Sequence, residues 1–272
     1  MTKDPNNNLP TDKEFYAFQK LILEKIGISL PLTKKTLLVN RLWKRLHIHG
    51  LNNYHDYYCL IASKKGQAEL SIALELITTN ETYFFREQKH FDFMADTILP
   101  KCKPGEKLRV WSAAASTGEE PYSIAMLLAD RCPGDWELLC SDVNGTVIQQ
   151  AKIGIYPDAR IQNISESYLR RFCRKGVGPQ EGFVRVVSEL RARVDFFTLN
   201  LNEDITEDLG KFDVVFLRNI LIYFENDTKE KVLDRIAKTM NPNAILFIGH
   251  SESLHGISNQ FTAVKPAIYR LS

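Results

Sequence analysis

No stretch of the 272-residue chain is apolar for long enough to span a bilayer, which argues against a transmembrane helix. Met1 to Pro10 is polar and asparagine-rich and lacks the apolar core of a signal peptide, so a cytoplasmic protein is expected. Cysteine is sparse. Its five residues (Cys59, Cys102, Cys132, Cys140, Cys173) are odd in number and contain no Cys-x-x-Cys, which excludes a disulfide framework and predicts reduced thiols, several of them buried. No Cys/His cluster has zinc spacing, and His47-x-His49 has no third ligand nearby, so no metal is expected. An excess of either charge is also missing: the net charge is +2, which leaves no global field of the kind a nucleic-acid binder carries. What remains is ordinary for a globular protein, with 44% hydrophobic and 25% charged residues and room for one large domain or two modest ones.

Glycine is scarce where nucleotide-binding loops usually concentrate it. Arg109 to Ser123 reads Arg-Val-Trp-Ser-Ala-Ala-Ala-Ser-Thr-Gly-Glu-Glu-Pro-Tyr-Ser, with one glycine in place of Gly-x-Gly-x-x-Gly and no Gly-Lys-Ser/Thr ending. The order is nonetheless strand, tight turn of small residues, then helix, and proline suits a helix's first turn. Open α/β sheets bind nucleotides at such turns, at the carboxyl ends of their strands. Two acidic residues, Glu119 and Glu120, stand where a phosphate cradle would be. They disfavour a polyphosphate and suit a ligand carrying hydroxyls, an amine or a sulfonium.

Residues 12–80 read as helices: Phe15 to Ile26 at helical spacing and stopped by Gly27, then Lys34 to His49, Tyr54 to Ser63 and Gln67 to Ile77. From about Lys103 strands alternate with helices. Strands are expected at Leu108 to Ala113, Trp136 to Asp142, Phe212 to Leu217 and Ala244 to Gly249, with one or two closing strands in Phe261 to Leu271. Helices are expected at Glu119 to Arg131, Thr146 to Lys152 and Asp227 to Met240. The alternation implies a mostly parallel sheet covered on both faces. Residues 154–193 break it: a short helix, Glu166 to Cys173, leads to a glycine-rich turn, then to period-two runs at Phe183 to Val187 and Glu189 to Val194. They read as a small antiparallel hairpin unit inserted in the sheet domain.

Several residues can carry chemistry. Asp142 ends a strand where an acidic residue accepts hydrogen bonds from ribose hydroxyls; the alternative is a cap for the next helix. In Asn80-Glu81-Thr82-Tyr83-Phe84-Phe85-Arg86-Glu87 the two phenylalanines suit packing on the sheet, while Arg86 suits a partly desolvated pocket where it could fork onto a carboxylate. Arg218 and Asn219 sit at a strand's carboxyl end, and Tyr223 fits core packing as well as it fits a site. Gly249-His250-Ser251-Glu252-Ser253 lacks the second glycine of a nucleophile elbow. Lys34, Lys35, Arg41, Lys44 and Arg45 make the second helix basic, either as a solvated face or as a surface for an acidic partner.

Together, Thr79 to Glu87, Val110 to Met126, Phe216-Leu217-Arg218-Asn219 with Ile222-Tyr223-Phe224, and Gly249-His250-Ser251-Glu252 resemble the chemotaxis receptor methyltransferases, the CheR family, from about residue 12 to 271. The resemblance implies an α/β fold. An amino-terminal all-helical domain (1–80) would be followed by a segment carrying site residues (81–102). A class I S-adenosylmethionine-dependent methyltransferase sheet domain (103–272) would follow, with the β-subdomain (154–193) inserted.

The activity implied is methylation of glutamate side chains on chemoreceptor helices for sensory adaptation, giving methyl esters and S-adenosylhomocysteine without a metal. By position the cofactor contacts fall on Asn80, Thr82, Arg86, Glu120, Asp142, Asn200, Leu201, Arg218 and Asn219. Glu120 would meet the methionine amino group and Asp142 the ribose. Arg86 and Tyr223 line the methyl-transfer site. Lys34, Arg41, Lys44 and Arg45 resemble the surface that faces the acidic receptor helices. Gly176, Gly178 and Gly182 resemble a version of the β-subdomain that captures a receptor's carboxyl-terminal peptide. The implied protein is a monomeric cytoplasmic enzyme recruited to membrane receptor arrays, with no membrane insertion and no nucleic-acid partner. A nucleic-acid methyltransferase would want a broad basic surface, and a non-catalytic cofactor sensor would have no use for Arg86 and Tyr223.

Overall fold

The computed structural model describes residues 9–272, and it divides into two units. The first takes in the chain up to Thr79 and the segment Tyr223–Thr228. It contains α1 (Asp12–Ile26), α2 (Lys35–Ile48), α3 (Tyr54–Ala62) and α4 (Gln67–Ile77). Local signals set their ends. Thr11 and Glu14 form a reciprocal capping box at the start of α1, and Gly27, at φ 74°, closes it in the left-handed conformation. Phe15, Phe18, Leu38, Leu42, Tyr57 and Ile61 form the buried interior of the helices. An isolated bridge between Ile28 and Phe224, with the Ser29 amide donating to the Tyr223 carbonyl at 2.8 Å, ties the later segment to this unit.

The second unit holds residues 80–222 and 229–272. It opens with α5 (Lys89–Phe93), which continues as a π-helical turn (Met94–Ile98). There follow β1 (Lys107–Ser112), α6 (Glu119–Arg131), β2 (Asp135–Asp142), α7 (Gly145–Ile153), β3 (Ile155–Pro157), α8 (Glu166–Phe172), β4 (Cys173–Lys175), β5 (Phe183–Val186), α9 (Ser188–Arg191) and β6 (Val194–Thr198). The chain ends with β7 (Phe212–Leu217), α10 (Asn226–Lys238), β8 (Met240–Ile248), β9 (Phe261–Lys265) and β10 (Ile268–Leu271). Seven strands make one sheet in the order β6-β2-β1-β7-β8-β10-β9, in which β6, β2, β1, β7 and β8 are parallel and β10 returns antiparallel. Its central strands are near-continuous apolar runs because helices cover both faces. Trp111 stacks on Phe212 at 5.3 Å and Phe216 on Phe247 at 4.5 Å. The order reverses between β1 and β7, so the crevice beyond their carboxyl ends is where such sheets bind ligands.

Two expectations fail. The run Glu189 to Val194 is not the second strand of a hairpin. Its first part is the single helical turn α9, which buries Leu190, and Val194 opens β6 on the edge of the main sheet. The inserted sheet has three strands, ordered β3-β5-β4, and the partner of β5 comes before the glycine-rich turn. Nothing in the sequence marks the short β4, because three residues carry almost no periodicity. β8 also begins earlier than Ala244. Pro242 cannot donate to the ladder, and Asn243 sits at φ 65°, so the pairing skips across a bulge between Phe212 and Val214.

Candidate active site

Site residues of the second unit come from five strand ends and from Asn80–Gln88, which lies across them. Ser116 Oγ donates to the Asn80 carbonyl at 3.1 Å, and the Phe85 amide donates to Ser123 Oγ at 2.9 Å. Those bonds pin the segment to the loop after β1 and to α6. Phe84 and Phe85 are buried, as expected of packing residues, and Phe84 meets Tyr156 edge-on at 5.0 Å. Arg86 is half-buried; its Nη1 donates to the Glu81 carbonyl at 2.8 Å, and its guanidinium lies 5.8 Å from the centre of the Tyr83 ring. Thr82 is half-buried on the same segment.

The paired carboxylates after the small-residue turn part company. Glu119 is fully buried against Arg160 (2.6 Å) and Thr117 (2.6 Å), an ion pair internal to the unit. Glu120 alone turns to the strand ends, where its Oε1 accepts from Ser112 Oγ and its Oε2 from Arg218 Nη1, both at 2.8 Å. Burial pushes the Glu120 carboxyl up, against the opposing pull of Arg218 and Ser112. Gly118, at φ 97°, makes the turn that allows this, and a Cβ there would meet the Tyr156 hydroxyl and Ala151.

Asp142 does not cap α7; Asn144 does, accepting from the Val147 amide at 3.2 Å. Asp142 instead takes the amides of Ser116 (2.9 Å) and Asn144 (3.0 Å), while burial raises its carboxyl against those bonds. The Leu199 amide donates to the Asp142 carbonyl at 3.0 Å, which brings Asn200 and the buried Leu201 beside it at the end of β6. Arg218 is buried and also donates to the Arg86 carbonyl (2.5 Å) and Glu87 Oε2 (3.0 Å). Its Nε has no partner among the described residues. Asn219, at φ 58°, donates through Nδ2 to Glu87 Oε1 at 3.3 Å.

The sequence alone gives Glu87 and Glu252 no role, although both lie in motifs that carry the family resemblance. Glu87 joins Arg218, Asn219 and the His250 amide (3.1 Å). Burial raises the Glu252 carboxyl, yet Glu252 gathers the amides of Gly249 (2.5 Å), Asn219 (2.9 Å) and Ile222 (3.2 Å) and so closes the loops after β7 and β8. Beside Glu87, burial and the Arg218 charge push the His90 imidazole down to about 3, so it is neutral. Backbone conformation marks the same place: Phe85, Glu87, Ser116 and Asn219, all non-glycine, have φ between 47° and 59°. Each costs of order 1–3 kcal/mol, and such residues persist where surrounding bonds over-determine them, commonly at ligand sites.

The basic helix divides too. Lys34, Arg41 and Lys44 are exposed, but Arg45 turns inward, where Nε donates to Glu69 Oε1 at 2.8 Å and Nη2 meets Oε2. His49 also reaches Glu69 (2.8 Å), so the helix's second histidine has a structural partner. Arg45 is therefore part of the fold of the helical unit rather than of its surface. Gly176, Gly178 and Gly182 lie in the β4–β5 connection, where each has a backbone reason. A Cβ at Gly176 would strike the Gln180 carbonyl, while Gly178 and Gly182 sit at φ 57° and 83°. Tyr223 ends a short 3₁₀ turn (Leu221–Tyr223) and groups with the helical unit.

Small side chains at 113–116 and a carboxylate at each of two strand ends suit a nucleoside carrying an amine. A raised Glu120 carboxyl gains from an incoming ammonium, and Asp142 has the acceptor chemistry that ribose hydroxyls need. The profile of the CheR methyltransferase SAM binding domain matches residues 80–269. The second unit is therefore the sheet domain of an S-adenosylmethionine-dependent methyltransferase. The profile of the CheR methyltransferase all-alpha domain matches residues 13–78, and the chain belongs to the CheR methyltransferase family. A chemotaxis protein methyltransferase of Escherichia coli K12 is 40% identical over 265 residues, covering 96% of this chain and 92% of that one. The protein of the same description from Borreliella burgdorferi is 33% identical over 276 residues, covering 97% and 96%. Among solved structures, PKMT2 from Rickettsia typhi in complex with AdoHcy aligns at a TM-score of 0.36 and 15% identity, over 58% of this chain and 24% of that one, a likeness too partial to argue from.

Proposed function

We propose that the chain transfers a methyl group from S-adenosylmethionine to glutamate side chains on the cytoplasmic helices of chemoreceptors, leaving S-adenosylhomocysteine and a glutamate methyl ester, as part of sensory adaptation. The observation that carries this reading is the buried chain Glu120–Arg218–Glu87 at the switch point, with Asp142 at the neighbouring strand end. When bound, S-adenosylmethionine supplies an electrophilic methyl group on a positively charged sulfur.

The residues proposed to hold it are Asn80, Thr82, Arg86, Glu120, Asp142, Asn200, Leu201, Arg218 and Asn219. Arg218 opposes the upward push of burial on Glu120 and aims its carboxyl; Glu120 would take the amino group and Asp142 the ribose. A glutamate acceptor has a reference pKa of about 4.3 and is ionised at neutral pH, so no general base is required. Its oxygen would take the methyl group that the bound cofactor supplies, with the electron pair of the broken carbon–sulfur bond remaining on sulfur. What the protein must supply is alignment, which can lower a barrier by roughly 7–11 kcal/mol. The Arg86 guanidinium presents the fork that matches a carboxylate.

Lys34, Arg41 and Lys44 are the residues proposed to meet acidic receptor helices, and the glycine-rich β4–β5 connection is proposed to meet a receptor's carboxyl-terminal peptide. No helix among the described residues is long and apolar enough to cross a membrane. The enzyme is proposed to act as a monomer in the cytoplasm, recruited to receptor arrays. The test is incubation with radiolabelled S-adenosylmethionine and receptor-bearing membranes. Alkali-labile label on the receptor band is the expected outcome, and label on RNA or on nothing would overturn the reading.

A further inference from the structure

Glu87, His90 and His250 each present a ligand atom, and these atoms all lie within 4.8 Å of one another. The cofactor reading has no use for the two imidazoles. His90 is 1% exposed, and neither of its ring nitrogens has a partner among the described residues. A buried imidazole left unbonded at both nitrogens calls for an explanation, since buried polar atoms are almost always satisfied. His90 Nδ1 stands 3.5 Å from Glu87 Oε2, and the exposed His250 ring meets the His90 ring edge-on at 4.8 Å. A cavity of about 540 Å³, lined by His90, His250, Asp96 and Thr97 among others, reaches both histidines and offers an entry path.

Zinc holds nitrogen and oxygen ligands at 2.0–2.2 Å in a tetrahedron, which sets neighbouring ligand atoms about 3.4 Å apart. The Glu87–His90 pair already has that spacing, and rotation of the exposed His250 ring brings in the third ligand. Two imidazoles and one carboxylate suit a borderline divalent transition metal and not calcium or magnesium, which prefer oxygen alone. We propose that Glu87, His90 and His250 form a binding site for such a metal, typified by zinc(II), with water from the cavity as fourth ligand. Arg218, 3.0 Å from the same Glu87 oxygen, opposes the added positive charge and limits the affinity.

The full chain, freed of metal and with its thiols kept reduced, is titrated with cobalt(II) by visible absorption and with zinc(II) against a chromophoric chelator. One equivalent of cobalt should give ligand-field bands without a thiolate charge-transfer band. His250→Ala leaves the His250 amide bond to Glu87 in place and removes only an exposed ring, so it should fold; it should weaken binding by more than the roughly 10- to 100-fold that the loss of a partner one shell out costs. Glu87→Gln should weaken it comparably. Undiminished affinity in His250→Ala, a thiolate band that puts the metal on cysteine, or no binding at millimolar metal would each overturn the proposal. None of these readouts depends on methyl transfer, so failure here and failure of the proposed function are separable.

Discussion

Each unit is built around a buried carboxylate and an arginine, and the two hubs are finished differently. In the helical unit Glu69 is surrounded: Arg45 takes both oxygens, Tyr57 donates at 2.6 Å and His49 closes at 2.8 Å. Burial pushes that carboxyl up, but bonds from Arg45, Tyr57 and His49 outweigh it and hold the group at about 2. In the sheet unit Glu120 stays raised, Arg218 is divided between two carboxylates and a carbonyl, and its Nε has no partner among the described residues. A carboxylate satisfied from within belongs to the architecture. One left short of positive charge at a strand end has capacity for a ligand. Backbone strain sorts the same way: four of the residues at positive φ without being glycine lie at the Glu120 hub.

Removing Arg218 should sharpen this contrast most. Arg218→Ala strands Glu120 and Glu87 as buried charges, and breaking such a pair costs about 3–5 kcal/mol. Denaturant unfolding should register that loss, and S-adenosylhomocysteine binding should vanish with it; an intact affinity would dissolve the distinction between the hubs. Glu69 comes next. A carboxyl lowered from 4.5 to about 2 contributes about 3 kcal/mol at 1.36 kcal/mol per pKa unit. Because the folded value is depressed, that contribution is complete above about pH 4.5 and disappears as pH falls through about 2. Glu69→Gln should remove most of it at pH 7 and flatten that part of the acid-unfolding profile, with S-adenosylhomocysteine affinity unchanged.

Arg86→Ala should cut methyl transfer on the order of 100-fold, the scale on which misalignment acts, with a far smaller change in cofactor affinity. Single-turnover rates beside calorimetric binding would separate the two, and unchanged turnover would remove Arg86 from the chemistry. Smallest is the surface of α2. Arg41→Glu or Lys44→Glu should slow receptor association severalfold, more at low salt because screening reaches only about 8 Å at physiological ionic strength. Stopped-flow association at two salt concentrations checks it, and a salt-independent loss would argue against a charged docking face.

The helices were readable because their signals are local. Thr11 and Glu14 cap α1 within one turn, Gly27 closes it, and apolar spacing marks its inner face. Strands β1, β2 and β7 were readable as apolar runs, and small residues before an acid marked the switch point. Arg45 could not be sorted from Lys44, because the choice between surface and interior rests on Glu69, 24 positions away. Glu119 and Glu120 are neighbours of one type, and only Arg160 and Arg218, approaching from opposite sides, decide which faces the crevice. Glu252 offered no signal beyond its motif, since its partners are amides from two separate loops.

Composition, periodicity and motif order were enough to specify a helical unit followed by an α/β sheet with acidic groups at a strand-to-helix turn. They act through neighbours a few residues apart, and that chemistry is written in the chain. Which carboxylate is spent on the fold and which is held open was settled only when distant segments met. The deciding energy is desolvation balanced against a partner charge, and neither exists until the sheet order puts Arg218 beside Glu120 and the packing of α2 on α4 puts Arg45 beside Glu69.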